Sequence, residues 1–156
     1  MKKIIAIGGG EIGRPGFPTQ TTAIDKEIIR LTKKKHPTLL FIPTASGDSS
    51  SYYETVRNHF GKKLSCKTDV LYLIKEKLSQ QEIKEKILSA DIIYVGGGNT
   101  FRMMKIWKRR GVDVILKQAY KKGTVLSGLS AGARRAGISR GSVAGICWGC
   151  RVGSGH

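Results

Sequence analysis

Short apolar runs that stop abruptly at glycine or small polar residues constrain this chain more than any other feature. Residues 3–7 run into Gly8-Gly9-Gly10, residues 38–42 into Pro43-Thr-Ala-Ser46, and residues 91–95 into Gly96-Gly-Gly-Asn-Thr100. A fifth strand over 124–126 leads into Ser127-Gly-Leu-Ser130, and a further run covers 69–74. Continuous apolar stretches of this length suit strands buried on both faces, and a chain of such strands needs crossover helices.

The intervening segments supply them. Thr21 and Thr22 can cap a helix through 25–34, whose Ile24, Ile28, Ile29 and Leu31 give it an apolar face. A capping-rich loop over 46–51 precedes a helix predicted at 52–60. Ser79-Gln-Gln-Glu82 is a capping box starting a helix over 80–88, and further helices are predicted at about 101–109 and 112–121. The alternation predicts βαβ units, hence a doubly wound, mostly parallel α/β sheet with helices on both faces. Ligands in such sheets bind beyond the carboxyl ends of the strands. Loops 8–10, 43–47, 96–99 and 128–130 all belong to that edge.

With 156 residues the chain is long enough for one domain with a proper core. No apolar run approaches the ~20 residues of a membrane span. The four-residue run after Lys2-Lys3 is shorter than the roughly 7–15 residues of a signal-peptide core, so it reads as a first buried strand. A cytoplasmic location is the default expectation. The net charge is +17, but the lysines are scattered over predicted helices, and the densest cluster, Lys105, Lys108, Arg109 and Arg110, carries no groove-reading motif. A basic solvated surface is expected rather than nucleic-acid binding. Cys147-x-x-Cys150 lies six residues before His156, with Cys66 far away in sequence; ordinary free thiols are expected, with neither metal nor cofactor.

Gly128-Leu-Ser130-Ala131-Gly132 is the G-x-S-x-G pattern of a nucleophile elbow. There a strand ends, the chain turns sharply, and a helix starts directly after the serine. Ser130 would stand above the sheet, and the amide of Ala131 would be free to donate to a developing oxyanion. The glycines after the fourth strand, Gly97 and Gly98, can expose a second backbone N–H beside it. A strand-to-helix turn without chemistry, and a helix cap at Asn99 and Thr100, are the plain alternatives. The Gly8-Gly9-Gly10-Glu11-Ile12-Gly13 stretch formally matches G-x-G-x-x-G. However, Pro15 and Pro18 prevent the helix a dinucleotide needs, and no acidic residue ends the second strand. Gly9 and Gly10 therefore read as a turn lining a cleft.

Taken in order, Ile5-Ala-Ile-Gly-Gly-Gly10, Phe41-Ile-Pro-Thr-Ala45, Gly96-Gly-Gly-Asn-Thr-Phe101 and Ser127-Gly-Leu-Ser-Ala-Gly-Ala133 resemble the dipeptidase E/cyanophycinase family of serine peptidases. The resemblance covers about residues 1–133. It implies a flavodoxin-like, class I glutamine amidotransferase-like fold and hydrolysis of short peptides, often with an acidic residue at the cleaved bond. It assigns Ser130 as nucleophile, the amides of Ala131 and of the Gly97-Gly98 turn as oxyanion hole, and Asn99 to the pocket. The pattern departs after Ala133. A stretch of about twelve residues, 134–145, separates it from Ile146-Cys-Trp148, which resembles what the family places directly after the elbow. Residues 134–156 contain no Asp or Glu, and His156 is their one histidine. His36 and His59 fall on predicted helix or helix-end positions and are expected at the surface. The expected organisation is an α/β peptidase-like domain over 1–133, followed by an atypical Gly/Arg-rich segment over 134–156 of the same domain. The resemblance implies a longer C-terminal part than residues 134–156 supply, so the expectation is that a second subunit, as in a homodimer, covers the face left open, or that the chain is a truncated or altered form of a longer protein. Failing a complete triad, the same fold would serve as an inactive peptide- or anion-binding domain.

Overall fold

The computed structural model describes residues 3–7 and 11–129. Five strands, β1 (Lys3–Ile7), β2 (Thr38–Ile42), β3 (Lys67–Val70), β4 (Ile92–Val95) and β5 (Val125–Leu129), form one sheet in the order β1-β5-β4-β2-β3. All four pairings are parallel. The strands alternate which face they present. Leu39 and Phe41 of β2 join the core under α1 (Thr22–Leu31) and α2 (Ser50–Val56), with Ile28, Val56 and Phe60. Leu40 and Ile42 join the opposite core, which holds Ile83 and Ile87 of α3 (Gln80–Ser89), Met103 and Trp107 of α4 (Thr100–Arg110), and Ile115, Leu116 and Ala119 of α5 (Val112–Lys122). The doubly wound sheet with helices on both faces is thus present.

Local signals set most boundaries. Ser79 Oγ accepts from the Glu82 amide at 3.1 Å while Glu82 accepts from the Ser79 amide at 2.6 Å, the reciprocal box legible in the sequence. Three expectations need correction. The helix predicted at 25–34 starts at Thr22 and ends at Leu31. Thr21 occupies its cap position but turns its hydroxyl to Asp25 Oδ2 at 2.7 Å instead of to the backbone. The strand predicted at 69–74 is Lys67–Val70. Its ladder ends with the Leu71 amide on the Phe41 carbonyl, because the Ile74 and Lys75 amides turn to the Asp48 carboxylate at 2.6 and 3.0 Å. The helix predicted at 52–60 starts at Ser50 and continues past Val56 as a π-helical stretch, Arg57–Lys63.

That wider turn explains why one histidine departs from expectation. His59 is not at the surface: it is 3% exposed and packs edge-on against Phe60. Its Nε2 lies 2.7 Å from Asp25 Oδ2, an oxygen that also accepts from Thr21. His36 is exposed as expected, its Nδ1 3.0 Å from the Ser65 carbonyl oxygen.

At the opposite edge from the small-residue loops, Asp91 ties the strand starts together. Its amide donates to the Thr38 carbonyl, and its own carbonyl accepts from Val125. Its carboxylate accepts from the Thr38 amide at 2.9 Å and from Lys34 Nζ at 2.7 Å. Partial burial, the largest single influence, opposes its charge, but the Lys34 ammonium and Thr38 amide together hold the carboxyl below its ordinary value. The unfolded chain therefore binds more protons in this range. Asp91's contribution is complete above the ordinary carboxylate value of about 3.9 and is lost as pH falls through the lower folded value.

Two measurements check this scaffold. Asp91→Asn should lower stability at neutral pH by about 1 kcal/mol and flatten the acid side of the stability–pH curve, read by urea denaturation between pH 2 and 7 as roughly the carboxylate titration range. His59→Ala leaves the wholly buried Asp25 with Thr21 as its one side-chain partner among the described residues and opens a void beside Phe60. A loss on the order of 3 kcal/mol is expected by the same method.

Candidate active site

Parallel register brings the carboxyl ends of β2, β4, β5 and β1 to one edge. Val95 stands opposite Ile42 on one side and Gly128 on the other, and Ile7 stands opposite Leu129. Beyond Val95, the Gly96 amide donates to the Ile42 carbonyl at 3.1 Å, which extends the β2–β4 ladder by one step. Gly96 is buried against the rings of Phe41 and Tyr52, where an added Cβ would stand 2.9 Å from Phe41.

The chain then turns out of the sheet. The Gly97 amide donates to the Tyr52 hydroxyl at a long 3.4 Å. Gly98 has φ +148°, and a Cβ there would collide with the carbonyl oxygen of Ala45. The next amide, that of Asn99, donates to the same oxygen at 2.8 Å. Asn99 Oδ1 accepts from the Arg102 amide at 3.0 Å, so this side chain caps α4. Among the described residues the Gly98 amide has no hydrogen-bond acceptor, and Gly98 and Asn99 are exposed. The sheet edge therefore presents a backbone donor with no competing acceptor among the described residues.

The wall of this turn is the loop after β2. Pro43 accepts from the Ser46 and Asp48 amides, Gly47 donates to Thr44, and Thr44 Oγ1 accepts from the indole Nε1 of Trp107 at 3.2 Å. Tyr52 forms the floor, tilted against Phe41 with ring centroids 4.9 Å apart. Burial pushes its phenol pKa up and the Gly97 amide opposes this; the nearby Glu11 carboxylate raises it further. The hydroxyl is thus held neutral. Sequence reasoning did not find Tyr52 or Asp48, because their parts depend on pairings across 45 and 26 residues of chain.

Of the residues assigned from the sequence, Gly97, Gly98 and Asn99 lie together in this turn. Ser130, Ala131, Gly9 and Gly10 lie outside the described residues, as do Cys147, Cys150 and His156. β5 continues to Leu129, longer than the predicted 124–126, so the described strand ends one position before Ser130. Cys66 is buried, and burial pushes its thiol up to about 11, which makes it an unreactive core residue. Among the described residues no helix is long and apolar enough to cross a membrane.

Comparison with known proteins agrees with this geometry. A profile of peptidase family S51 matches residues 4–142. Uncharacterized peptidase YgaJ of Bacillus subtilis is 38% identical over 150 residues, which are 95% of this chain and 56% of that protein. Peptidase E of Haemophilus influenzae is 32% identical over 141 residues, 89% of this chain and 61% of its own length. The chain thus spans somewhat over half the length of these relatives. Among solved structures, a Listeria monocytogenes protein provisionally named peptidase E superposes with TM-score 0.64 at 26% identity, covering 85% of this chain and 60% of that one. A peptidase from an acI-B1 actinobacterium shares the fold, with TM-score 0.64 at 23% identity and coverage of 85% and 56%. On the profile match and the Bacillus relative together, the chain belongs to peptidase family S51.

Proposed function

We propose that this chain carries the nucleophile half of a serine-type peptidase that hydrolyses short peptides. Its carrying observation is the juxtaposition of two strand ends. β5 runs to the residue before Ser130, directly beside the turn whose Gly98 amide has no acceptor among the described residues. A serine attacking a peptide carbonyl moves negative charge onto that oxygen, and fixed backbone donors stabilise the charge without reorganising. In this reading Ser130 Oγ attacks, and the amides of Gly98 and Ala131 receive the oxyanion. Gly97 is held by the Tyr52 hydroxyl through a bond long enough to be exchanged for a stronger acceptor. Gly9, Gly10 and Asn99 border the peptide. Arg102, whose guanidinium lies beside Gly47 and makes no ion pair among the described residues, offers a cation to an acidic residue of the substrate.

A second reading, a binding domain without turnover, draws on one feature: residues 134–156 contain no carboxylate side chain to orient His156.

Treatment with a fluorophosphonate should label Ser130, located by mass spectrometry, and Ser130→Ala should abolish both the label and any dipeptide hydrolysis. An unlabelled Ser130 in protein with an intact circular dichroism spectrum overturns the hydrolase reading, and peptide binding by calorimetry then supports the second. Gly98→Ala forces a side chain into the Ala45 carbonyl and moves the donor. The labelling rate should fall by on the order of 10²-fold, with a smaller change in peptide affinity.

A further inference from the structure

The 96–99 turn is held by a closed ring of contacts that runs through residues far from the sheet edge. Its first tie is the Asn99 amide on the Ala45 carbonyl at 2.8 Å, with Gly98 packed on the same oxygen. The second is Trp107 of α4 on Thr44 Oγ1 at 3.2 Å, buried from solvent. A third joins the far end of α4 to the segment after β3: the Arg110 guanidinium donates to the Leu73 and Leu78 carbonyls at 3.2 and 2.7 Å. The fourth closes the ring. Asp48 Oδ2 accepts from the Ile74 and Lys75 amides at 2.6 and 3.0 Å, and the Asp48 amide donates to Pro43 at the base of the Ala45 loop at 3.0 Å.

Asp48 is unusual on two independent grounds. It is a carboxylate with no solvent exposure, and its backbone has φ +57°, a left-handed conformation uncommon outside glycine. Two amide donors on one oxygen anchor it in that conformation, whereas its Oδ1 has no partner among the described residues. Strain and incomplete satisfaction of this kind persist where the surroundings over-determine a position. Here the over-determined element is the loop that carries the Ala45 carbonyl.

We infer that Asp48 is a positioning residue for the backbone donors of the 96–99 turn, acting through the 43–48 loop and the Ala45 carbonyl. It touches no reacting atom. It fixes where Ala45 stands, and Ala45 fixes the Gly98 and Asn99 amides. The inference rests on the proposed hydrolase reading only for its consequence in catalysis; the mechanical link stands apart from it.

Hydrogen exchange followed by NMR on the full chain separates the two. In Asp48→Ala the Asn99 amide should exchange roughly tenfold or more faster while the Ile87 amide in α3 is unchanged, the signature of local rather than global opening. Asp48→Asn keeps an oxygen for both amides and should restore slow exchange at Asn99. The fluorophosphonate labelling rate should follow the same order, falling by roughly 10²-fold in the alanine variant with peptide affinity retained. Unchanged Asn99 exchange in Asp48→Ala overturns the inference, and so does an asparagine variant as impaired as the alanine one. If Asp48→Ala does not fold, Asp48→Ser, whose shorter side chain withdraws the acceptor from the Ile74 and Lys75 amides, takes its place, and Asn99 exchange that stays slow in it overturns the inference equally. A wild-type chain unlabelled at Ser130, with Asn99 exchange still governed by Asp48, defeats the hydrolase reading and leaves the positioning role standing.

Discussion

Parallel pairing of β4 with β5, with Val95 opposite Gly128, is the constraint on which the rest depends. Parallel strands all end on one edge, so the turns that follow them become neighbours although they are far apart in sequence. The register then decides which residues of those turns meet. A slip of one residue would send every side chain of β5 to the opposite face and bring a different residue of its carboxyl end beside Val95. Two apolar layers resist such a slip. Leu126 belongs to the core with α3, α4 and α5, and Val125 and Leu129 to the core with α1 and α2.

On this frame the edge loops are built for position. Gly98 approaches the Ala45 carbonyl more closely than any side chain allows, and the same oxygen binds the Asn99 amide. A peptide turn held this way cannot rotate its N–H groups away without breaking a contact. In the proposed reading that rigidity would serve oxyanion stabilisation, since donors that must reorganise lose most of their advantage over water. The Tyr52 hydroxyl under Gly97 belongs to the same arrangement: buried, neutral, and bonded at a distance that leaves the amide exchangeable.

Much of this was legible in the sequence because it rests on local signals. The apolar runs before Gly96 and Ser127, the Ser79–Glu82 capping box and the glycines of the turn each carry their own physical reason; the capping box and the run before Gly96 fall where expected, and the run before Ser127 opens a strand that extends to Leu129. The misread positions share a different cause. Leu71 and Leu73 are as buried as strand residues, yet the chain leaves the ladder there because Asp48 captures the Ile74 and Lys75 amides. His59 is drawn inward by a π-helical stretch and by Asp25, 34 residues upstream. Thr21 caps nothing because that same carboxylate takes its hydroxyl. In all three a buried carboxylate decides the outcome, and for the segment after β3 and for His59 it pairs across 26 and 34 residues of chain, beyond any local window of sequence.

The most direct measurement of the central claim is a crystal structure of the protein after reaction with a fluorophosphonate. The account predicts phosphorus bonded to Ser130 Oγ, with the phosphonyl oxygen accepting from the Gly98 amide at roughly 3 Å. An adduct on Ser130 whose oxygen points away from the 96–99 turn, toward other donors or solvent, would contradict it.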